Sequence, residues 1–305
     1  MNQVMMKKTN KKPLLGRIKL ELKKNAIVYV VLTPVLLHFF IFQVLPFVIS
    51  FFLTFFDYKI IGESKFVGLK HWLFFFQDPT AIKSLLNTVQ FSIYYILPTL
   101  ALGLILALVI NSDFKGAKYL KLIFFLPVVT SFVIIAGIWS WIFSGTDAGI
   151  VNYILSWFGI GNQLFLSNSK QALFVLAMLS IFKVCGNTMI YYYAGLKSID
   201  KQVYEAAKID GASRLRTFWK ITFPMLKPIH FYVLITTTIG SFQIFDSAYL
   251  LTSGGPNFST TTLVYYLYVQ GFMNLNLSYA AVISYILFTI ILIISLIQRR
   301  YFNEK

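Results

Sequence analysis

Six long stretches of this chain are almost free of charged side chains, and they limit what it can fold into. They cover residues 27–56, 88–110, 122–143, 172–194, 229–251 and 278–297. A helix needs about 20 apolar residues to cross the hydrocarbon of a bilayer, and each stretch reaches that length. Only 12% of all residues are charged, about half the share found in soluble domains. The sequence therefore predicts an all-α polytopic membrane protein with six spans.

The basic residues are divided unequally between the two sides that six spans would create. One side, with residues 1–26, 111–121, 195–228 and 298–305, carries 21 Lys and Arg residues, and the other side carries 5. Because cytoplasmic loops are enriched in Lys and Arg, both termini are predicted to lie in the cytoplasm. This topology also explains the net charge of +16, so we expect no nucleic-acid partner.

Two apolar segments differ from a simple span. The first span is too long for one straight crossing and contains Pro34 and Pro46, so we expect it to be broken, strongly tilted or longer than the bilayer is thick. Segment 148–169 is interrupted by glycine and asparagine, and a seventh span there would weaken the charge asymmetry. It is predicted to be re-entrant or to lie on the membrane surface.

These assignments divide the chain into three parts. Residues 1–26 form a basic cytoplasmic segment, residues 27–297 a six-span transmembrane domain, and residues 298–305 a short cytoplasmic tail. Within the domain, residues 195–228 form the largest predicted cytoplasmic loop between spans.

The first half of this loop, after the fourth span, is predicted to contain one short helix. Gly195 is placed to end the span as a C-cap, and Asp200 is a suitable N-cap for the helix that follows. Gly211 permits a turn through the left-handed conformation. The loop is thus predicted to reverse direction at Gly211.

The second half of the loop is predicted to contain another helix over residues 213–221. Its apolar side would include Leu215 and Trp219, and Pro224 and Pro228 would end it and direct the chain back into the membrane. Such a loop is either a docking surface for a soluble partner or an ordinary solvated loop folded back on the spans.

The run from Glu205 to Pro228 resembles the "EAA" loop of the membrane subunits of ABC importers. The positions that match the motif are Glu205, Ala206, Ala207, Gly211, Ile221 and Pro224, with Phe223 where leucine is usual. The extended pattern of the carbohydrate-uptake branch is matched by Asp210, Ala212, Phe218 and Pro228. The stretch Leu251–Pro256, with Ser259, Thr260, Tyr265, Tyr266 and Tyr268, resembles the outward loop of maltose and glycerol-3-phosphate permeases.

The resemblance implies a multi-pass permease subunit of a bacterial ABC importer in the plasma membrane, forming half of the path for a di- or oligosaccharide or a glycoside. It implies that the loop is a coupling helix in a groove of a cytoplasmic ATPase, with Glu205 making the polar contact and Gly211 the turn. The implied partners are a second homologous permease, two ATPase subunits and an extracellular solute-binding protein.

The chain itself has no phosphate-loop motif of the type G-x-x-x-x-G-K-[ST], so ATP and Mg²⁺ would be bound by the partner ATPase. We expect no cofactor, no metal and no catalytic residue in this chain. The alternatives are a permease for glycerol-3-phosphate, a polyol or an aminosugar, a self-contained secondary transporter, and a membrane enzyme. An internal repeat expected of many secondary transporters and a catalytic pair expected of an enzyme are not apparent.

Two charged residues lie inside predicted spans, where charge is costly and usually functional. Each has polar neighbours at helical spacing. The set on the fourth span is Lys183, Asn187 and Tyr191, and the set on the fifth is Gln243, Asp246 and Tyr249. Three interpretations stay open: the two sets line a polar cavity for a sugar, Lys183 and Asp246 form an ion pair, or either residue lies near the outer surface.

Overall fold

The computed structural model describes residues 26–112 and 115–303, with side chains up to residue 302. The basic segment 1–26, apart from Ala26, lies outside the described residues, as do the last two residues of the predicted tail. Contacts divide the chain into two units, Met1–Leu53 and Thr54–Lys305. The predicted boundaries at residues 26 and 297 are not tested by this division and stay predictions.

The first unit is helical over all of its described residues. It consists of α1 (Ala26–Phe39), a π turn (Phe40–Val44) and α2 (Leu45–Leu53). The wider π turn directly precedes Pro46, whose missing N–H and bulky ring oppose a regular α-helical turn. The predicted break does not occur here. With 28 residues the helix is about 42 Å long, so tilt or overhang beyond the bilayer stays predicted.

The second unit begins with two antiparallel strands, β1 (Phe56–Asp57) and β2 (Lys65–Phe66). The helices that follow are α3 (Lys70–Gln77), α4 (Pro79–Asn111), α5 (Ala117–Val129), α6 (Phe132–Ile142), α7 (Ile150–Ser156), α8 (Ala172–Ser198), α9 (Lys201–Ile209), α10 (Arg214–Thr217), α11 (Phe223–Met225), α12 (Lys227–Phe242), α13 (Asp246–Thr252), α14 (Leu263–Tyr268) and α15 (Leu277–Asn303). A 3₁₀ turn (Phe165–Ser167) precedes α8, and π turns (Phe218–Thr222 and Val269–Met273) follow α10 and α14.

Four helices in the described part of the chain are long and apolar enough to cross a membrane: Ala26–Leu53, α4, α8 and α15. The predicted third span is instead the pair α5 and α6, which are bent by 102°. The predicted fifth span is α12 followed by α13, with Gln243–Phe245 between them outside either helix. The expectation of one continuous helix at 122–143 and at 229–251 is therefore wrong, and the count of six spans stays a prediction.

The breaks between α5 and α6 and between α12 and α13 are both stabilised by hydrogen bonds from residues distant in sequence. At the second break, the hydroxyl of Thr262 donates a hydrogen bond to the carbonyl oxygen of Ile244 at 2.8 Å. Gln243 and Asp246 flank the break, but nothing in the fifth stretch itself shows that Thr262 bonds the chain there.

Segment 148–169 contains only the seven-residue α7 and the 3₁₀ turn Phe165–Ser167. The buried Asn152 organises the segment, because its Nδ2 donates to the carbonyls of Ser144 and Gln163 and its Oδ1 accepts from the Gln163 N–H. A helix of seven residues is about 10 Å long and cannot cross a bilayer. The prediction that this segment is not a span is confirmed.

The core of the second unit lies between the two long helices α4 and α8. Toward one end, Phe91 and Tyr95 of α4 pack with Leu176 of α8. Toward the other end, Met189 and Tyr192 of α8 pack with residues at the start of α12. This second cluster supports the loop that connects α8 to α12.

Candidate coupling loop and translocation path

The coupling loop, residues 195–228, turns where the sequence predicts. The carboxylate of Asp200 accepts a hydrogen bond from the Gln202 N–H at 2.9 Å and caps α9. Gly211 has φ +70°, a left-handed conformation that glycine adopts without steric cost. Ser213 then caps α10 by accepting from the Arg216 N–H at 3.3 Å. These local hydrogen bonds fix the starts of α9 and α10, with which the first and the second arm of the loop begin.

Three expectations for the ends of the loop are corrected. Gly195 is not a C-cap, because α8 continues to Ser198. The chain also stays helical past Pro224 through a π turn and α11, and its direction changes at Leu226, where ψ is 3°. Pro228 lies in the first turn of α12, where the missing N–H needs no partner, and Pro224 lies inside the continuous helical stretch, just after the π turn Phe218–Thr222. They therefore do not end the second helix.

The surface of the coupling loop combines an exposed carboxylate with exposed apolar side chains. Glu205 is exposed, and Ile209, one helical turn later, is 87% exposed. On the second arm Leu215 is 70% and Trp219 57% exposed, so the predicted apolar side of this helix faces outward at these two positions. Large apolar side chains exposed together usually mark an interaction surface.

The other predicted coupling residues divide by exposure. Ala206, Asp210, Gly211 and Pro224 are exposed, Ala212, Phe218 and Ile221 are half-buried, and Ala207 is buried. A cavity of about 440 Å³ lies between the loop and the ends of α4 and α8. The hydroxyl of Thr222 donates to that of Tyr204 at 3.3 Å and links the two arms beside this cavity. The loop therefore contacts both long helices directly.

Lys183 holds the first break of the bundle. Its ammonium donates to the carbonyl oxygens of Pro127 at 2.7 Å, Val128 at 2.8 Å and Thr130 at 2.6 Å. These carbonyls end α5, and a cation stabilises the negative end of a helix dipole. All three donors of the ammonium are occupied in this way, so the interpretation as an ion pair with Asp246 is wrong.

Three of the predicted path residues have polar groups without a partner in the part of the chain that the structure describes. Asn187 is half-buried, Gln243 and Asp246 are exposed, and none of them makes a hydrogen bond or ion pair there. Tyr191 packs edge-on against Tyr232 with ring centroids 5.1 Å apart. In the predicted fifth span a carboxylate facing lipid would be costly, so we expect the face of α13 that carries Asp246 to meet water, substrate or another subunit.

An aromatic cluster adjoins the same face. Tyr249, three residues after Asp246, stacks on Phe245 with centroids 5.3 Å apart and an interplanar angle of 13°. Tyr268 lies 5.6 Å from Tyr249 and stacks on Phe272 at 5.6 Å. Four rings, from the second break, α13, α14 and the π turn after α14, therefore form a partly exposed aromatic surface that adjoins the free carboxylate of Asp246.

Comparison with known proteins decides the family. Residues 99–302 match the model of the binding-protein-dependent transport system inner membrane component. The chain belongs to this family. It is 34% identical over 277 residues to the arabinooligosaccharides transport system permease protein AraP of Bacillus subtilis, covering 90% of this chain and 88% of AraP. It is 31% identical to the sn-glycerol-3-phosphate transport system permease protein UgpA of Escherichia coli O157:H7, covering 80% and 82%.

Solved structures agree with this assignment. The permease is similar, with a TM-score of 0.83 and 27% identity, to a chain in the crystal structure of a bacterial ABC transporter involved in the import of the acidic polysaccharide alginate. The match covers 94% of the permease and 99% of that chain. A second structure, of the alginate transporter in complex with alginate pentasaccharide-bound periplasmic protein, matches with a TM-score of 0.82. The expected fold class of an all-α ABC importer permease is confirmed.

The permease also contains a buried polar network that the sequence reasoning missed. The carboxylate of Asp78, which caps α4, accepts hydrogen bonds from the hydroxyls of Tyr266 at 2.5 Å and Tyr279 at 2.7 Å. Burial raises the pKa of Asp78, but these hydroxyls and the backbone N–H groups of Ala81 and Thr80 outweigh burial, and the pKa lies below its ordinary value. The network ties α4 to α14 and α15.

Proposed function

We propose that this permease forms half of the translocation path of an ATP-driven sugar importer and that the coupling loop docks in a groove of a cytoplasmic ATPase. The exposed set Glu205, Ile209, Leu215 and Trp219 supports the docking. An amphipathic helix that places its apolar side chains in a groove is a common mode of recognition. The remaining partners are a second homologous permease, a second ATPase copy and an extracellular solute-binding protein.

The ATPase pair would bind ATP and Mg²⁺, and the permease would bind neither. Closure of the ATPases would push the coupling loop, which contacts α4 and α8 around the cavity beneath it. Rigid movement of these helices would then open the path alternately to each side. We place the assembly in a bacterial plasma membrane, with the loop in the cytoplasm.

Docking is tested by purifying the assembled transporter with altered loops and measuring how much ATPase is retained. We expect Glu205→Ala and Ile209→Asp each to lower ATPase association by about tenfold, as for central residues of protein interfaces. Ile61→Asp is the matched control, because Ile61 is 91% exposed in the segment predicted to lie on the opposite side. Normal ATPase association in all loop variants, with the permease folded, would rule out this docking surface.

The substrate of the proposed path is a neutral sugar. A phosphate or carboxylate would need a cation in the path, and Lys183, the only Lys or Arg inside the predicted spans, has all three donors bound to carbonyls. The free carboxylate of Asp246 would instead repel an anion and accept hydrogen bonds from sugar hydroxyls. The rings around Tyr249 offer apolar faces for stacking.

The substrate is tested by uptake into vesicles that contain the complete transporter and its binding protein. Neutral arabino-oligosaccharides and glycerol-3-phosphate, the substrates named for two relatives, are compared with an aminosugar at equal concentration. We expect uptake of the neutral sugar, and Asp246→Asn to lower it. Uptake of glycerol-3-phosphate alone would favour the alternative of a glycerol-3-phosphate permease. Preference for an aminosugar, lost in Asp246→Asn, would favour a cationic substrate.

A further inference from the structure

An apolar cleft with lysines at its edge lies between α5 and α8, close to the start of the coupling loop. It has a volume of about 360 Å³ and is lined by Lys118, Tyr119, Lys121, Leu122, Phe125 and Ile190. The lysines come from the first turns of α5, and the apolar residues come from one turn further along α5 and from α8. The surface of the cleft itself is therefore almost wholly apolar, and the two lysines border it near the start of α5.

The predicted spans place this polarity at the edge of the membrane. The apolar stretch of α5 begins at Leu122, and that of α8 ends at residue 194. Lys118 and Lys121 thus lie at the predicted cytoplasmic boundary, while Phe125 and Ile190 lie at the depth of the hydrocarbon. A water-soluble ligand would match only the rim, and an uncharged lipid would match only the apolar floor.

The rim has positive charge that no carboxylate balances within the described residues. Lys121 and Lys197 direct their ammonium groups at the ring of Tyr193, with Nζ 4.8 and 5.5 Å from its centroid. Neither of them, nor Lys118, forms an ion pair there. Basic pockets between membrane helices on the cytoplasmic side attract anionic headgroups.

We propose that this cleft binds an anionic phospholipid of the inner leaflet. The phosphate lies between Lys118 and Lys121, and an acyl chain lies on Leu122, Phe125 and Ile190. Charge complementarity favours this occupant over a helix of the second permease, since an apolar helix would leave the basic rim unbalanced. The lipid would hold the start of α5 against the end of α8, directly before the coupling loop.

Native mass spectrometry of the complete transporter, purified from vesicles containing equal amounts of phosphatidylglycerol and phosphatidylcholine, tests the proposal. Wild type should retain phosphatidylglycerol in preference to phosphatidylcholine. The double change Lys118→Gln, Lys121→Gln should lower retention of phosphatidylglycerol by about tenfold. Ile190→Trp, which fills the apolar floor and keeps both charges, should lower it as well. Lys201→Gln, an exposed lysine on α9, is the matched control and should change nothing.

Photocrosslinking from position 122 identifies the occupant directly. A benzophenone side chain introduced there should label phosphatidylglycerol. Unchanged lipid retention in the double lysine variant overturns the proposal, and so does a crosslink to a polypeptide, whether the second permease or residues 1–25 of this chain. Neither measurement depends on sugar uptake or ATPase docking, so failure here leaves the proposed function untouched.

Discussion

Gly195 of α8 and Ile229 of α12 approach so closely that a Cβ atom on Gly195 would lie 2.6 Å from Cγ1 of Ile229. The same Cβ atom would lie 2.9 Å from the fully buried Leu226. The glycine is therefore what allows the two ends of the coupling loop to meet. This contact joins the helix that enters the loop to the helix that leaves it.

Gly195→Ala is expected to lower the free energy of unfolding by about 1–2 kcal/mol, because an added methyl group in a packed site forces neighbours to shift. Thermal unfolding in detergent measures the change. Gly240→Ala is the matched control, since Gly240 lies inside α12 with no atom within 4 Å of an added Cβ. That control should raise stability by up to about 1 kcal/mol. Equal effects at both positions would contradict the importance of the close contact.

Lys183→Met is expected to lower the free energy of unfolding by about 2–3 kcal/mol, because three carbonyl oxygens at the end of α5 lose a charged donor. Thermal unfolding of the purified chain measures this loss. Lys170→Met serves as control, since Lys170 is exposed and its ammonium group makes no hydrogen bond or ion pair with the described residues. If Lys183 contacted the sugar instead, its replacement would raise the sugar concentration needed for half-maximal uptake and leave unfolding unchanged.

The coupling loop shows which features of this permease could be predicted from sequence. Asp200 and Gly211 act through bonds and dihedral angles within a few residues, so their roles follow from residue type and position. Lys183 and Gly195 act on residues 31 or more positions away. The sequence shows that Lys183 is a charged residue within an apolar stretch and that Gly195 lacks a side chain. It does not show which residues they contact, because spacing along one helix does not reveal what packs against it.

The broken spans illustrate the same limit. Average hydropathy predicts where apolar chain lies, and the stretches at 122–143 and 229–251 are apolar enough overall to be predicted as spans in spite of Thr130 and Ser131 at the first break and Gln243 and Asp246 at the second. Lys183 satisfies the carbonyls at the first break, and Thr262 satisfies Ile244 at the second. Since each partner belongs to another helix or loop, a window of sequence cannot report the break.

Asp78→Asn is expected to lower stability by about 1–3 kcal/mol near neutral pH, because the hydroxyls of Tyr266 and Tyr279 lose a charged acceptor. The pH dependence follows from the lowered pKa of Asp78. A carboxylate whose pKa is lower in the folded than in the unfolded chain stabilises fully above the unfolded value, about 3.9, and loses this contribution as pH falls through the folded value.

Melting temperatures of wild type and Asp78→Asn, measured between pH 3 and pH 8, check this expectation. The difference between the two proteins should be constant above about pH 5 and should shrink below about pH 4. A difference that shrinks between pH 6 and pH 8 would assign the effect to another group. Asp147→Asn is the control, because Asp147 is exposed and bonds only the side chain of Asn162.

Two variants of Tyr249 can distinguish whether its ring stacks on the sugar or its hydroxyl forms a hydrogen bond with the sugar in the proposed path. Its ring stacks on Phe245 and stands beside Tyr268, and it is exposed on the face that carries Asp246. If the ring stacks on a sugar, Tyr249→Leu should raise the sugar concentration for half-maximal uptake by about tenfold, the equivalent of about 1.4 kcal/mol. Tyr249→Phe keeps the ring and should have little effect. Equal losses in both variants would show that the hydroxyl binds the sugar, and no loss in either would remove Tyr249 from the path.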